Sequence, residues 1–293
     1  MQERISAIRH HPRHKSGFRL ALGIAIQIAS WQASRLLDRG KFDAREIDCH
    51  QFDLPLPRLA PAFDGLRLLH ISDLHMGTWM NPQRLAGIVS LINAQSADLI
   101  AITGDFISYT VEQPLRELAA SLSRLTPREG AFAVLGNHDI WTDPPAVRAM
   151  LAGAGITELP NRVHTLRRGS ACLHLAGVDN TYEHLDDLPA VLAQIPPQGA
   201  AILLAHEPDY ADRSAATGRF DLQLSGHSHG GQMNFPLAGP LFLPRYAHRY
   251  PRGLYQINGM RLYTNRGLGT TALQVRLRCP PEIAVIRLRA GAV

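Results

Sequence analysis

The sequence predicts an α/β fold, and three observations carry that reading. Short runs of Leu, Ile, Val and Ala, each of strand length, recur along the chain. Stretches of helical character fall between several of them. Most of the apolar runs stop at a glycine, or at Asp, Asn or His. Alternation of this kind means helices layered on sheets.

The elements follow in order. At 47–61 an alternating start gives way to a Leu-Pro-Leu-Pro run, which suits an edge strand and its exit. Buried-strand signals follow at 66–71, 99–103, 131–135, 171–178, 201–205 and 222–224. Helices are expected at 82–95, 112–125, 144–154, 187–194 and 208–216. Three of these open on proline, which a first helical turn tolerates. Strand character returns at 261–264 and 282–289. No repeat at a solenoid period and no low-complexity segment is visible.

Residues 1–41 differ from the rest. A basic head (Arg4, Arg9, Arg13, Lys15, Arg19) leads into an apolar run at 20–29, then Trp31, Arg35 and Arg39. The run is short of the ~20 apolar residues of a spanning helix. The expectation is a membrane-associating helix lying at the interface, with a helix packed on its own domain as the alternative. Residues 42–293 then form the α/β domain. The net charge of +5 suits anionic partners. The 3 cysteines, Cys49, Cys172 and Cys279, are too far apart and odd in number for a disulfide framework or a zinc cluster.

Function is written where the strands end. The run 66–71 leads to Ser72-Asp73-Leu74-His75, and 99–103 to Gly104-Asp105. The run 131–135 leads to Gly136-Asn137-His138-Asp139, 201–205 to His206-Glu207, and 222–224 to Ser225-Gly226-His227-Ser228-His229-Gly230-Gly231. In an open α/β sheet, ligands bind beyond the carboxyl ends of strands. These loops are therefore expected to bring Asp73, His75, Asp105, Asn137, His138, His206, His227 and His229 together. Mixed nitrogen and oxygen donors without thiolate suit Mn²⁺, Zn²⁺ or Fe. The donors exceed what one tetrahedral ion takes, so two ions about 3.5–4 Å apart with a shared carboxylate are expected. Asp105 is a candidate for that bridge.

The blocks Asp73-Leu-His75, Gly104-Asp105, Gly136-Asn137-His138-Asp139, His206-Glu207 and Gly226-His227-Ser228-His229 resemble the five-block signature of calcineurin-like metallophosphoesterases. The match runs from about Leu66 to His229. The wording His206-Glu-Pro, Gly226-His-Ser-His-Gly-Gly-Gln and Asn265-Arg-Gly-Leu-Gly is similar to a bacterial membrane-associated phosphodiesterase branch. The resemblance implies a four-layer α/β/β/α sandwich of two mixed sheets. It also implies that Asp73, His75 and His229 hold one divalent ion and Asn137, His206 and His227 a second. Asp105 bridges them, Mn²⁺ is the first choice of metal, and His138 is catalytic beside the leaving group. Asp139 is expected to orient the His138 imidazole, and Arg266 to reach the substrate from a basic, aromatic rim beyond His229.

The implied activity is hydrolysis of a phosphodiester or pyrophosphate in an amphiphilic, lipid or nucleotide-lipid, substrate. A nuclease or general phosphodiesterase of the same fold is the alternative, and a non-catalytic metal-dependent scaffold the second. Nucleic acid is not an expected partner, because much of the basic charge sits at the N-terminus. The expected location is the inner membrane with the domain on the cytoplasmic side, the periplasmic side being the alternative. Oligomeric state is left open.

Overall fold

The computed structural model describes residues 43–77, 79–108, 112–271 and 273–291. The expected N-terminal membrane-associating segment lies outside them. Two six-stranded mixed sheets face each other. The first is built, in spatial order, from β1 (Asp48–Leu56), β14 (Glu282–Ala290), β2 (Arg67–Ile71), β3 (Leu99–Thr103), β4 (Gly130–Val134) and β5 (Ile156–Glu158). Only β14 and β2 run antiparallel there. The second is β12 (Gly253–Ile257), β13 (Met260–Thr264), β9 (Leu222–Ser225), β8 (Ala200–Leu204), β7 (Ala171–Gly177) and β6 (Arg162–Arg168). Its centre is parallel and its two outer pairs are antiparallel.

Period-two side-chain alternation decides which layer each apolar residue joins. Leu68, Leu99, Phe132 and Val134 of the first sheet meet Leu175, Ile202, Leu204 and Leu224 of the second in a core between the sheets. Their neighbours Leu69, Ile71, Ile100 and Ile102 point outward. They pack under α1 (Pro82–Ala94), α2 (Glu112–Leu122) and α4 (Pro144–Gly153), through residues such as Ile88, Leu118 and Leu151. On the far face, Ala201, Leu203 and Leu262 lie under α5 (Leu188–Gln194) and α6 (Ala211–Ala216). The result is the expected α/β/β/α sandwich.

Asn81, Asp143 and Asp187 start α1, α4 and α5 by accepting the Arg84, Ala146 and Ala190 N–H groups. Some elements differ from expectation. The 208–216 helix is a 3₁₀ turn, Pro208–Tyr210, followed by α6. The 112–125 helix stops at Leu122, ahead of Pro127. Strands β5, β6 and β12, a short hairpin of β10 (Asn234–Phe235) and β11 (Gly239–Pro240), and α3 (Asn137–Thr142) are additional.

Register positions the site. Ile71 pairs with Ile102, so β2 and β3 end level and their exit loops run side by side. The N–H groups of Asp73, His75 and Met76 donate to the carbonyls of Gly104, Asp105 and Phe106. In the second sheet Leu204 pairs with Leu224, and the Gly226 N–H donates to the His206 carbonyl. The sheets are joined at this same end, because the Leu268 N–H donates to the Ser72 carbonyl and Asn265 Nδ2 to the His70 carbonyl.

Candidate metal centre

The five strand-end loops converge. Donor atoms of Asp73, His75 and His229 lie within 4.8 Å of one another, and so do those of Asp105, His206 and His227. The same limit links His75, Asp105 and His138. Asp105 joins the groups: its Oδ2 is 3.4 Å from His75 Nε2 and 3.3 Å from His206 Nε2. His229 Nε2 is 3.1 Å from His75 Nε2 and 3.4 Å from Asp73 Oδ1.

The backbone is bent to do this. Asp73, His75, Asp105, His227 and His229 all have positive φ, between 47° and 67°. That left-handed region is sparsely used by side-chain-bearing residues, though Asp and His tolerate it better than most. Such strain clusters where a site needs side chains turned against the run of a strand. Two glycines are forced by crowding at these turns. A Cβ on Gly136 would fall on the Asp105 carboxylate, and one on Gly226 on Ser72 and Asp73.

Hydrogen bonds set which ring nitrogens are bare. His206 Nδ1 lies 2.6 Å from the Thr103 carbonyl and His227 Nε2 2.9 Å from the Arg245 carbonyl. A carbonyl only accepts, so both of these nitrogens carry hydrogen. In their neutral forms His206 Nε2 and His227 Nδ1 then offer lone pairs to each other across 3.2 Å. Asn137 Oδ1 is buried with no hydrogen-bond partner among the described residues. Acceptors crowd one another with too few hydrogens between them. Only positive charge resolves that, which is what a divalent-metal site of imidazole, carboxylate and amide oxygen presents.

The electrostatics agree. Burial pushes the Asp105 carboxyl up, but the charges and hydrogen bonds of His206, His138 and His75 outweigh it and hold it well below the usual carboxylate range. Burial alone would depress His206, yet Asp105 raises it well above the usual imidazole range. Burial depresses His229 and His227, and a neighbouring imidazole adds to each shift. Positive charge is thus drawn to the Asp105 side of the cluster. His227 and His229, held below the usual range, stay neutral, the form in which imidazole ligates.

His138 lies in the first turn of α3, at the rim. Its main-chain N–H donates to Asp105 Oδ1 at 2.9 Å, and its ring meets that of His75 edge-on at 4.8 Å. Burial lowers its pKa to about 4, against the pull of Asp105. Two sequence expectations need correction. Asp139 does not turn its carboxylate to the His138 imidazole. It accepts the main-chain N–H groups of Gly136, Asp105, Phe106 and Ile107, and so holds the Asp105 loop, while His138 Nδ1 lies 3.4 Å from the Ser108 carbonyl. The Arg266 guanidinium is not free for a substrate, because ion pairs with Glu282 and Asp48 take it up.

An aromatic wall stands beside the cluster, and of its members only Tyr246 belongs to the expected basic, aromatic rim. From His138 the rings of Trp141, Tyr182 and Tyr246 follow at centroid spacings of 5.2, 5.2 and 5.8 Å, with Tyr182 also 6.0 Å from His227. The Arg245 guanidinium lies over Tyr246 at 4.4 Å. Trp141 is three residues beyond His138, on the same side of a helix, which is a readable signal. Tyr182 has none. It is placed by Glu207, which is buried and accepts from Asn180 Nδ2 and Thr181 Oγ1. Of the basic rim, Arg249 is paired with Asp212, leaving Arg245 on the wall.

Carboxylates and imidazoles caged at the strand ends of such a sandwich define a class, the metal-dependent phosphoester hydrolases. The family follows from comparison with known proteins: the pattern described as "Calcineurin-like phosphoesterase" matches residues 66–231, and the chain belongs to that family. An uncharacterized metallophosphoesterase of Bacillus subtilis, YkuE, is 33% identical over 234 residues, covering 78% of this chain and 80% of its own. Phosphodiesterase YaeI of Escherichia coli is 31% identical over 244 residues, 81% and 88% of the two chains. A Danio rerio "transmembrane protein with metallophosphoesterase domain" is 32% identical over 251 residues, but the match spans only 56% of that longer protein. Among the described residues here, no helix is long and apolar enough to cross a membrane.

Proposed function

We propose that the chain is a two-metal phosphodiesterase or pyrophosphatase acting on an amphiphilic phosphate ester. In this reading Asp73, His75 and His229 hold one ion, and Asn137, His206 and His227 hold the other. Asp105 is shared, and Mn²⁺ is the resident metal, with Zn²⁺ and Fe as alternatives. The observation that carries it is the position of Asp105 Oδ2, within 3.4 Å of imidazoles from both groups. When bound, the ions supply a nucleophile from water near neutral pH and neutralise charge on the phosphoryl oxygens.

The chain's own residues do the rest. The Thr103 and Arg245 carbonyls fix the tautomers of His206 and His227, so the ligating nitrogens face inward. Asp139 holds the Asp105 loop by its N–H groups. His138 stands at the open side, where a phosphoryl anion would favour its protonation and let it give a proton to the departing oxygen. Trp141 and Tyr182 wall that side with aromatic faces, keeping water from the departing group.

The division into a membrane-associating segment at 1–41 and a catalytic domain at 42–293 belongs to this reading, as does a site at the cytoplasmic face of the inner membrane. A Mn²⁺-supplemented panel tests it, comparing bis-p-nitrophenyl phosphate, a phosphomonoester, single- and double-stranded DNA and a UDP-linked lipid, with the His138→Ala protein as blank. The diester and the lipid nucleotide are expected to be cleaved, the lipid nucleotide with the higher kcat/KM. Preference for DNA would replace this reading with the nuclease, and no turnover of any substrate with the scaffold.

A further inference from the structure

The segment that follows the last histidine of the cluster leaves the centre and comes back to it. Gly231 packs against Pro240 closely enough that a Cβ there would collide with the proline. The chain then runs out through β10, turns, and returns through β11. At Arg245 its carbonyl receives the His227 Nε2–H. Between these anchors the excursion presents apolar side chains to solvent. Leu237 at the tip is fully exposed, Phe242 is 72% exposed and Leu241 63%. A second segment lies against its base: the Asn234 N–H donates to the Leu277 carbonyl, and Gln232 Nε2 to the carbonyls of Leu273 and Val275. It adds exposed Val275 and Leu277 to the same patch.

Apolar side chains in this number, grouped and outward-facing, mark an interaction site rather than ordinary surface. The charge around them says with what. No Asp or Glu occurs between Asp221 and Glu282, a stretch that carries Arg245, Arg252 and Arg278, all exposed. A protruding apolar tip in a stretch that carries exposed arginines and no acidic residue complements an anionic bilayer. Leu and Phe enter the acyl boundary and the guanidinium groups meet lipid phosphates.

We infer that the 235–242 hairpin, with the 275–277 segment, docks this protein on an anionic phospholipid bilayer beside its metal centre. Both ends of the hairpin are tied to the cluster, so insertion of the tip places the open side, with His138 and the aromatic wall, at headgroup level. The inference extends the proposed action on an amphiphilic ester, but its test uses no turnover and so fails or succeeds separately from that reading.

The test is a Leu237→Trp variant of the full chain, its emission measured as a difference from the parent. Phosphatidylcholine vesicles are compared with vesicles in which part of the lipid is phosphatidylglycerol, with and without brominated acyl chains. The expected result is a blue shift of the difference spectrum with the anionic vesicles only, and quenching by the bromines. In flotation, Leu237→Ser with Phe242→Ser is expected to cut partitioning by about tenfold or more, while the melting temperature stays within a degree or two because both side chains are exposed. Vesicle binding without any shift at position 237 would overturn the inference, leaving attachment to some other part of the chain. So would an absence of vesicle binding, or self-association that the same serine variants abolish, which would make the patch an interface between copies.

Discussion

His138 and His70 show how differently one side chain is used at two burial depths. His138 has its main chain tied to Asp105 and its ring edge-on to that of His75 at the edge of the cluster. His138→Ala is therefore expected to keep its full metal content, measured by inductively coupled plasma mass spectrometry, and to lose kcat by roughly 10²–10⁴-fold, the usual worth of general acid catalysis. Metal loss instead would make it a ligand. His70, on β2, is sealed between the sheets with Nε2 on Thr103 Oγ1. Burial lowers its pKa to about 3. The unfolded chain takes up a proton near pH 6.5 and the folded one does not, so stability is present above 6.5 and falls as pH falls below it. The slope from this group is about 1.4 kcal/mol per pH unit. Urea unfolding at pH 7 and pH 5 is expected to show a difference smaller by about 2 kcal/mol in His70→Leu than in the parent. Equal differences would mean that His70 is protonated in the fold or contributes nothing to its acid sensitivity.

At the scale of elements, the loop after β3 and the start of α3 form one unit. Asp139 closes it by accepting four main-chain N–H groups from both pieces. Deleting a buried acceptor leaves donors without partners, at about 1–3 kcal/mol each. Asp139→Ala is expected to lose about 3 kcal/mol or more in urea unfolding and to weaken Mn²⁺ binding, because the Asp105 carboxylate is no longer held. A change under half a kcal/mol would show that the loop is held by other contacts. Elements were legible in the sequence in proportion to their burial. Central strands such as β3 and β8 are unbroken apolar runs buried at every position, and their ends were readable to within a residue. The outer strand β6 reads Arg-Val-His-Thr-Leu-Arg-Arg, polar enough to pass for a loop, because an edge strand carries charge to discourage further pairing. Helix α3 was hidden because its first turn is also the ligand motif.

At the scale of the whole molecule, two sheets pack so that loops from both meet at one end, and the candidate ligands lie on that seam. The seven ligand candidates were legible because each follows an apolar run, beside a glycine or with another donor in the same short loop. The aromatic wall was legible only in part: Trp141 follows His138 at helical spacing and Tyr246 falls in the basic, aromatic rim, but Tyr182 joins them only through the fold. The ion pairing of Arg266 was not legible, since its partners are 218 and 16 residues away. Asp73 and Asp105 come from the first sheet and His206, His227 and His229 from the second, so ions held by them would cross-link the layers. Ions that bind only the folded state stabilise it, by about 2.7 kcal/mol at a hundred times Kd. Chelation is accordingly expected to lower the melting temperature by about 5–10 °C, and Mn²⁺ to restore it. An unchanged melting temperature would mean that the seam holds without them.

The shared carboxylate is the centre of the account, and counting ions tests it most directly. Metal per chain, measured after Mn²⁺ loading and desalting, is expected to be two for the parent and one or none for Asp105→Ala, with hydrolysis of bis-p-nitrophenyl phosphate lost alongside. Two ions retained by Asp105→Ala, or a single ion in a fully active parent, would contradict it.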